Sequence, residues 1–339
     1  MQAPSIIKPE ELAYLSHAPT DGRSIPLAPY YDADAEQFYG WHPMPDRRIS
    51  VYPIGLVEGH YLAKRPADPE SDRQLPLSTV LLQHFSHRDV WQAVPSVQQD
   101  LINALAALHK YFVMLLYANE HEDASYGPMI RTELEYGFVN HRAFYDRLHG
   151  IVRRIHEMYG AKGSNLPDSF AKTAKKSEQD LQNKYLLPGP LVGFYKGREV
   201  VFLKLRRLRD SIVHHGHSLD GCAFLFADGI AVPLDNGLAE ELGDLALWPE
   251  ALLKPNRLGS ALAILAFFAS DMLDVMDHLG SSLLSCFPDP PKPIARGYGV
   301  FLRSTVSRHL VSLGEYQRIH WFDPTKVLGI PSSPENAPR

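Results

Sequence analysis

The sequence predicts a mainly α fold, an antiparallel bundle of four or five helices with a small N-terminal irregular/β segment and a β-hairpin insertion. Three observations carry this reading. From Pro76 onward apolar residues recur at helical intervals; residues 1–75 are rich in Pro, Tyr and Gly and lack that period; and an Asp-Gly pair sits between two apolar runs. The chain accordingly divides into an irregular/β segment over 1–75, a helical bundle over 76–286, and a C-terminal extension over 287–339.

Within the first segment the best strand candidates are Ile49 to Ile54 and Leu56 to Ala63, split by Pro53 and Gly55 into an expected small hairpin. Asp68 to Asp72 reads as an exposed loop. A helix capped by Ser96 is predicted to run to about Asn119, with Leu101, Leu105, Leu108, Phe112 and Leu115 on one apolar face. The next spans roughly Arg131 to Tyr159 after the break at Ala124–Pro128, with Phe138, Tyr145, Leu148 and Val152 inward. Lys172 to Leu186 is a more polar helix closed by Pro188-Gly189-Pro190. A helix from about Glu199 to Gly216 follows, then a hairpin turning at Asp228-Gly229, then a long helix over about Arg257 to Leu284. Val300 to Leu302 is a strand candidate, and the composition of Pro331 to Arg339 predicts disorder.

With 339 residues, 45% of them hydrophobic and 22% charged, the chain can bury a sizeable core. A net charge of −5 with a pI near 6.3 excludes indiscriminate attraction to nucleic acid or an anionic membrane, so any such contact needs a local basic patch. The chain has 2 cysteines, Cys222 and Cys286, which read as reduced thiols and favour a cytoplasmic home. No signal peptide is visible at Met1 to Glu11. The most apolar run, Leu258 to Ser270, is about 13 residues long, too short to cross a bilayer.

The segment Leu205 to His217 carries the most chemistry. Arg209, Asp210 and His214 fall within one and a half helical turns. A guanidinium reads phosphate oxygens bidentately and stays charged, whereas an imidazole moves a proton near neutral pH. Asp210 and His214 form an i, i+4 pair, so the carboxylate is placed to orient the imidazole. Lys204, Arg206, Arg207 and His215 are the candidate substrate-binding residues beside them, and Lys196 and Arg198 extend the basic stretch. The alternative for these groups is structural: Asp210 pairs with Arg206 on the surface, Arg209 snorkels, and His214 and His215 cap the C-terminal end of the helix.

The Arg-x4-His pattern at Arg209 to His214, with an acid directly after the arginine, resembles the signature of the HEPN superfamily, over roughly residues 96–286. That resemblance implies a four-helix bundle, metal-independent RNA cleavage, no cofactor, and a homodimer in which two motif helices form one groove. It also implies an antitoxin or regulatory partner. In such a site the arginine stabilises charge on the phosphate and the histidine transfers protons as the 2′-hydroxyl attacks. Here Gly216-His217 stands where the family often has an aromatic residue after the histidine.

Two other function classes stay open. One is a catalytically inactive helical interaction module. The other is a metal- or haem-dependent helical oxidase using one of the 16 histidines. His214, His215 and His217 are poorly spaced as metal ligands, because neighbours on a helix point about 100° apart. Asp271, Asp274 and Asp277 read as a solvated stripe, and Tyr30, Tyr31, Phe38, Tyr39 and Trp41 as packing aromatics with base stacking as the alternative.

Overall fold

A computed structural model describes residues 4–17, 22–25, 27–55, 58–121, 125–159, 165–215, 223–234, 242–243, 245, 247–287 and 289–330, with only the backbone of 211–215. It is mixed α/β, 55% helical and 16% strand, and this overturns the mainly α bundle predicted above. Part of the missed β content is local, Tyr30–Asp32 against Gln37–Pro43, and part is long-range, Gly59–Ala63 against Gly299–Arg303. Among the described residues ten short strands form one seven-stranded sheet and one three-stranded sheet. The chain divides into two compact units, 1–102 with 145–199 and 273–311, and 103–144 with 200–272 and 312–339.

The first unit holds the larger sheet, in the order β1-β4-β3-β2-β5-β10-β6. Its strands are β1 (Ser5–Ile7), β2 (Tyr30–Asp32), β3 (Gln37–Pro43), β4 (Ile49–Ile54), β5 (Gly59–Ala63), β6 (Arg73–Gln74) and β10 (Gly299–Arg303). The expected hairpin of Ile49–Ile54 with the following strand does not form. Strand β4 pairs with β3, Gly40 opposite Tyr52, while β5 pairs with β10, Phe301 opposite Tyr61. Pro53 does not end the strand as expected: it lies within β4 opposite Tyr39, and the neighbours that β4 and β5 take in the sheet, β3 and β10, are not each other. The aromatics of this segment pack on one another: Tyr30 stacks on Tyr39 with ring centroids 5.2 Å apart, and Phe38 meets Tyr61 edge-on at 5.1 Å.

The expected exposed loop before β6 ends on a buried acid. Asp72 Oδ2 accepts a hydrogen bond from the Tyr61 hydroxyl at 2.6 Å and one from the Asp68 amide at 2.9 Å. Arg303 adds a cation: its Nε lies 3.6 Å from Asp72 Oδ1, and its guanidinium sits over the Phe38 ring. Desolvation is what such a carboxylate must offset, and the converging donors do so.

The helices are α1 (Pro76–His84), α2 (Arg88–Trp91), α3 (Val94–His121), α4 (Tyr126–Tyr159), α5 (Phe170–Ala174), α6 (Glu178–Asn183), α7 (Gly189–His215), α8 (Ala261–Cys286), α9 (Arg308–Ile319) and α10 (Pro324–Leu328). Helices α3 and α4 begin earlier than predicted, because Pro95 and Pro128 fall in first turns, where a missing N–H costs nothing. The single helix expected over Lys172–Leu186 is two short ones, since Ser177 caps a new start by accepting from the Asp180 amide at 3.0 Å. The segment Arg88–His121 is the one stretch among the described residues long and apolar enough to cross a membrane, and 56% of its window is buried inside the fold.

In the second unit β7 (Phe224–Phe226), β8 (Gly229–Pro233) and β9 (Leu258–Ser260) form the small sheet; the predicted hairpin forms, but Phe226 pairs with Gly229, so Ala227 and Asp228 make its turn and Gly229 opens β8. Residues expected to open the last long helix pair with β8 instead, and Ser260 starts α8 by accepting from the Leu262 amide at 3.2 Å. Lys254 Nζ meets both oxygens of Asp228 at 3.1 and 2.9 Å and lies 4.6 Å from the Trp321 ring. The predicted disordered tail, Pro331 to Arg339, lies outside the described residues, as do Cys222 and His217.

Candidate functional site

Helix α7 starts at Gly189, a decade before the predicted start, because Pro190 is tolerated in the first turn and the Leu191 and Val192 amides both donate to the Pro188 carbonyl. Its part within the second unit buries Phe202, Lys204, Leu205 and Leu208. That spacing follows the helical period and turns Arg206, Arg209 and Asp210 toward the half-exposed flank.

On that flank Asp210 uses both carboxylate oxygens. Arg209 Nη1 donates to Oδ1 at 2.9 Å, and Arg206 Nε donates to Oδ2 at 3.2 Å. Partial burial alone would push the Asp210 carboxyl up. The hydrogen bonds from Arg209 and Arg206, with the charges of Arg206 and of Arg142 on α4, outweigh that and hold it below the ordinary carboxylate range. Asp210 is thus an ionised counter-ion to arginines.

The other predicted substrate-binding residues separate. Lys204 is buried, with 7% of its surface exposed, and Arg207 is exposed. Lys196 belongs to the first unit, where its ammonium donates to Glu199 Oε2 at 2.6 Å and to the Ala174 carbonyl at 2.7 Å. The six basic residues of 196–209 therefore do not make one continuous phosphate-facing stripe. The backbone of His214 and His215 completes the C-terminal turn of α7, and their side chains lie outside the described residues.

Sequence reasoning missed the buried pair next door. His141 Nε2 on α4 is 2.9 Å from Asp271 Oδ2 on α8, with side chains 0% and 5% exposed. Asp271 is therefore not part of a solvated stripe; Asp274 and Asp277 are exposed. The reason is angular: a step of three residues falls about 60° short of a full turn, so three such positions spread over about 120° of the helix surface. Phe267 and Phe268 enclose the imidazole, the latter ring centred 5.3 Å away.

Among the described residues no group of three or more His, Cys, Asp or Glu is placed to hold a metal ion. No family model, curated protein or solved structure matches the chain.

Proposed function

We propose that this protein binds RNA and cleaves it without a metal, as an endoribonuclease of the HEPN kind acting as a homodimer in the cytoplasm. The observation that supports the reading is the arrangement on Asp210, four residues before His214, whose carboxylate Arg206 and Arg209 share. A carboxylate held by two guanidinium groups presents them in a fixed array to phosphate oxygens, which bind the same donors bidentately. In this mechanism Arg209 stabilises charge developing on the phosphate. His214 moves the proton of the attacking 2′-hydroxyl, and Asp210 positions the arginines.

The experiment is cleavage of varied single-stranded RNAs by purified protein in the presence of chelator. Arg209→Ala and His214→Ala each lower the rate by about 10² to 10³ while leaving the helical content unchanged. Intact RNA with folded wild-type protein, or variants that cut as fast as wild type, would end this reading. Exposed Val113 and Tyr117 on α3 and Met129 and Tyr136 on α4 favour a catalytically silent interaction module as the second reading, and it would then take over.

A further inference from the structure

On α3 the positions Lys110, Val113 and Tyr117 are spaced three and four apart, and on α4 so are Met129, Glu133 and Tyr136, which puts each set on one helix face. Two contacts within the second unit lay these faces side by side. The Asn103 amide donates to the Tyr136 hydroxyl at 3.1 Å, and Lys110 Nζ donates to Glu133 Oε1 at 2.9 Å, so the two helices run antiparallel. Past the Lys110–Glu133 rung, Val113 and Tyr117 come level with Met129. Val113 is 45% exposed, Tyr117 51%, Met129 50% and Tyr136 45%, so all four stand about half in solvent. Large apolar side chains gathered on one surface are uncommon on monomers, and tyrosine and methionine are enriched where proteins meet.

We propose that this face is the homodimer interface and that its occupant is the same α3–α4 face of a second copy, related by a two-fold axis running along the helix pair between α3 and α4. The homodimer belongs to the reading above, on which this rests; the face that forms it is the new element. Charge argues for a copy of this chain as the occupant. The rung carries one cation and one carboxylate at the same level, with side chains 57% and 15% exposed. A two-fold axis in that direction exchanges the helices and keeps the level, so Lys110 of each protomer lies over the partner's Glu133. Two ion pairs become one alternating cluster of four charges. The same operation sets α3 antiparallel against the partner's α4, the packing of an antiparallel four-helix bundle, and brings Val113 and Tyr117 against the partner's Met129.

The test is the mass of the full chain by light scattering, with sedimentation velocity giving the dissociation constant and circular dichroism checking the fold. Wild type is expected to be a dimer. Lys110→Glu and Glu133→Lys each set like charges against one another across the axis and are expected to weaken the dimer by about tenfold or more. Mixed together, the two variants are expected to recover a heterodimer of near wild-type affinity, because the reversals complement each other between chains while the pair inside each chain stays repulsive. Met129→Glu, which buries a charge among the apolar residues, weakens the dimer by about tenfold or more and is not rescued by mixing. A monomeric wild type, folded variants that dimerise as wild type does, or charge variants that fail to recover on mixing overturn the proposal. Should Glu133→Lys not fold, Tyr117→Ser and Met129→Ser decide by the same measurement. RNA cleavage on the same samples separates the two readings: a dimer through this face that leaves RNA intact removes the nuclease and keeps the interface, and a monomer that cleaves RNA does the reverse.

Discussion

His141 and Asp271 face each other at 2.9 Å between α4 and α8, both buried, with the Phe267 and Phe268 rings beside the imidazole. Such a pair costs desolvation to assemble and is costly to break, because the remaining partner keeps its polar group in an apolar setting. Asp271→Ala is therefore expected to destabilise the protein by about 3 kcal/mol or more, whereas Asp271→Asn, which keeps an acceptor, costs less. Urea denaturation followed by far-ultraviolet dichroism measures both; equal midpoints for wild type and Asp271→Ala would show the pair to be energetically idle.

Gly229 illustrates a different constraint. A Cβ there would lie 2.6 Å from Trp321 Cε3 and 3.0 Å from the Tyr111 hydroxyl that accepts from the Ile230 amide. The indole also flanks the Lys254 ammonium, so it cannot shift freely. Gly229→Ala is expected to lower stability by about 1–3 kcal/mol through overpacking, read as a drop in melting temperature. An unchanged melting temperature would mean that the indole relaxes without cost.

The stability of the fold should fall in mild acid, and His149 shows why. Burial pushes its imidazole below the ordinary histidine range, against an opposing contribution from the Pro167 carbonyl. Nε2 lies 2.8 Å from that carbonyl and Nδ1 lies 2.7 Å from the Tyr195 hydroxyl. The carbonyl can only accept, so Nε2 carries the proton and Nδ1 accepts from the tyrosine in the neutral ring. The folded value lies below the unfolded one, hence the unfolded chain binds the extra proton first. The contribution is full above the unfolded value of 6.5 and is lost as pH falls from there through the lower folded value. His60, His84 and His278 are shifted the same way by burial and add to the slope. Denaturant midpoints between about pH 7.5 and 5 test this; His149→Gln should flatten the dependence, and an unaltered slope would remove His149 from the account.

What was legible in the sequence were features with a local cause. The hairpin between the two apolar runs around 224–233, and the inward faces of α3 and α4, follow from patterns that each segment carries by itself, although the turn falls one residue earlier than predicted, at Ala227-Asp228. The larger sheet was only partly legible: β2, β3 and β4 pair locally within residues 30–54, but β10 near the C-terminus pairs with β5 some 240 residues earlier, Val300 opposite Leu62, and no window of sequence contains both. The buried acids Asp72 and Asp271 escaped for a related reason: each looks like a surface residue until the partners Tyr61 and His141 arrive from other elements. In the candidate site the Arg206–Asp210 pair was readable from the i, i+4 spacing, whereas the second contact, from the adjacent Arg209, was not. Both oxygens of the carboxylate go to arginines.

That choice gives the last prediction. With both oxygens engaged by guanidinium groups, Asp210 offsets positive charge that a phosphate would otherwise meet. Asp210→Asn removes a negative charge of the kind that repels the RNA backbone, yet its amide oxygen can still accept from one arginine, so the side chains stay roughly in place. RNA affinity at low salt is expected to rise a few-fold, with a steeper salt dependence, as the freed guanidinium displaces one more counter-ion. Fluorescence anisotropy across a salt series reads this directly. Weaker binding by a folded Asp210→Asn protein would mean that the carboxylate's ordering of Arg206 and Arg209 outweighs its repulsion of the backbone, and the residue would then count as part of the binding array and not as its counterweight.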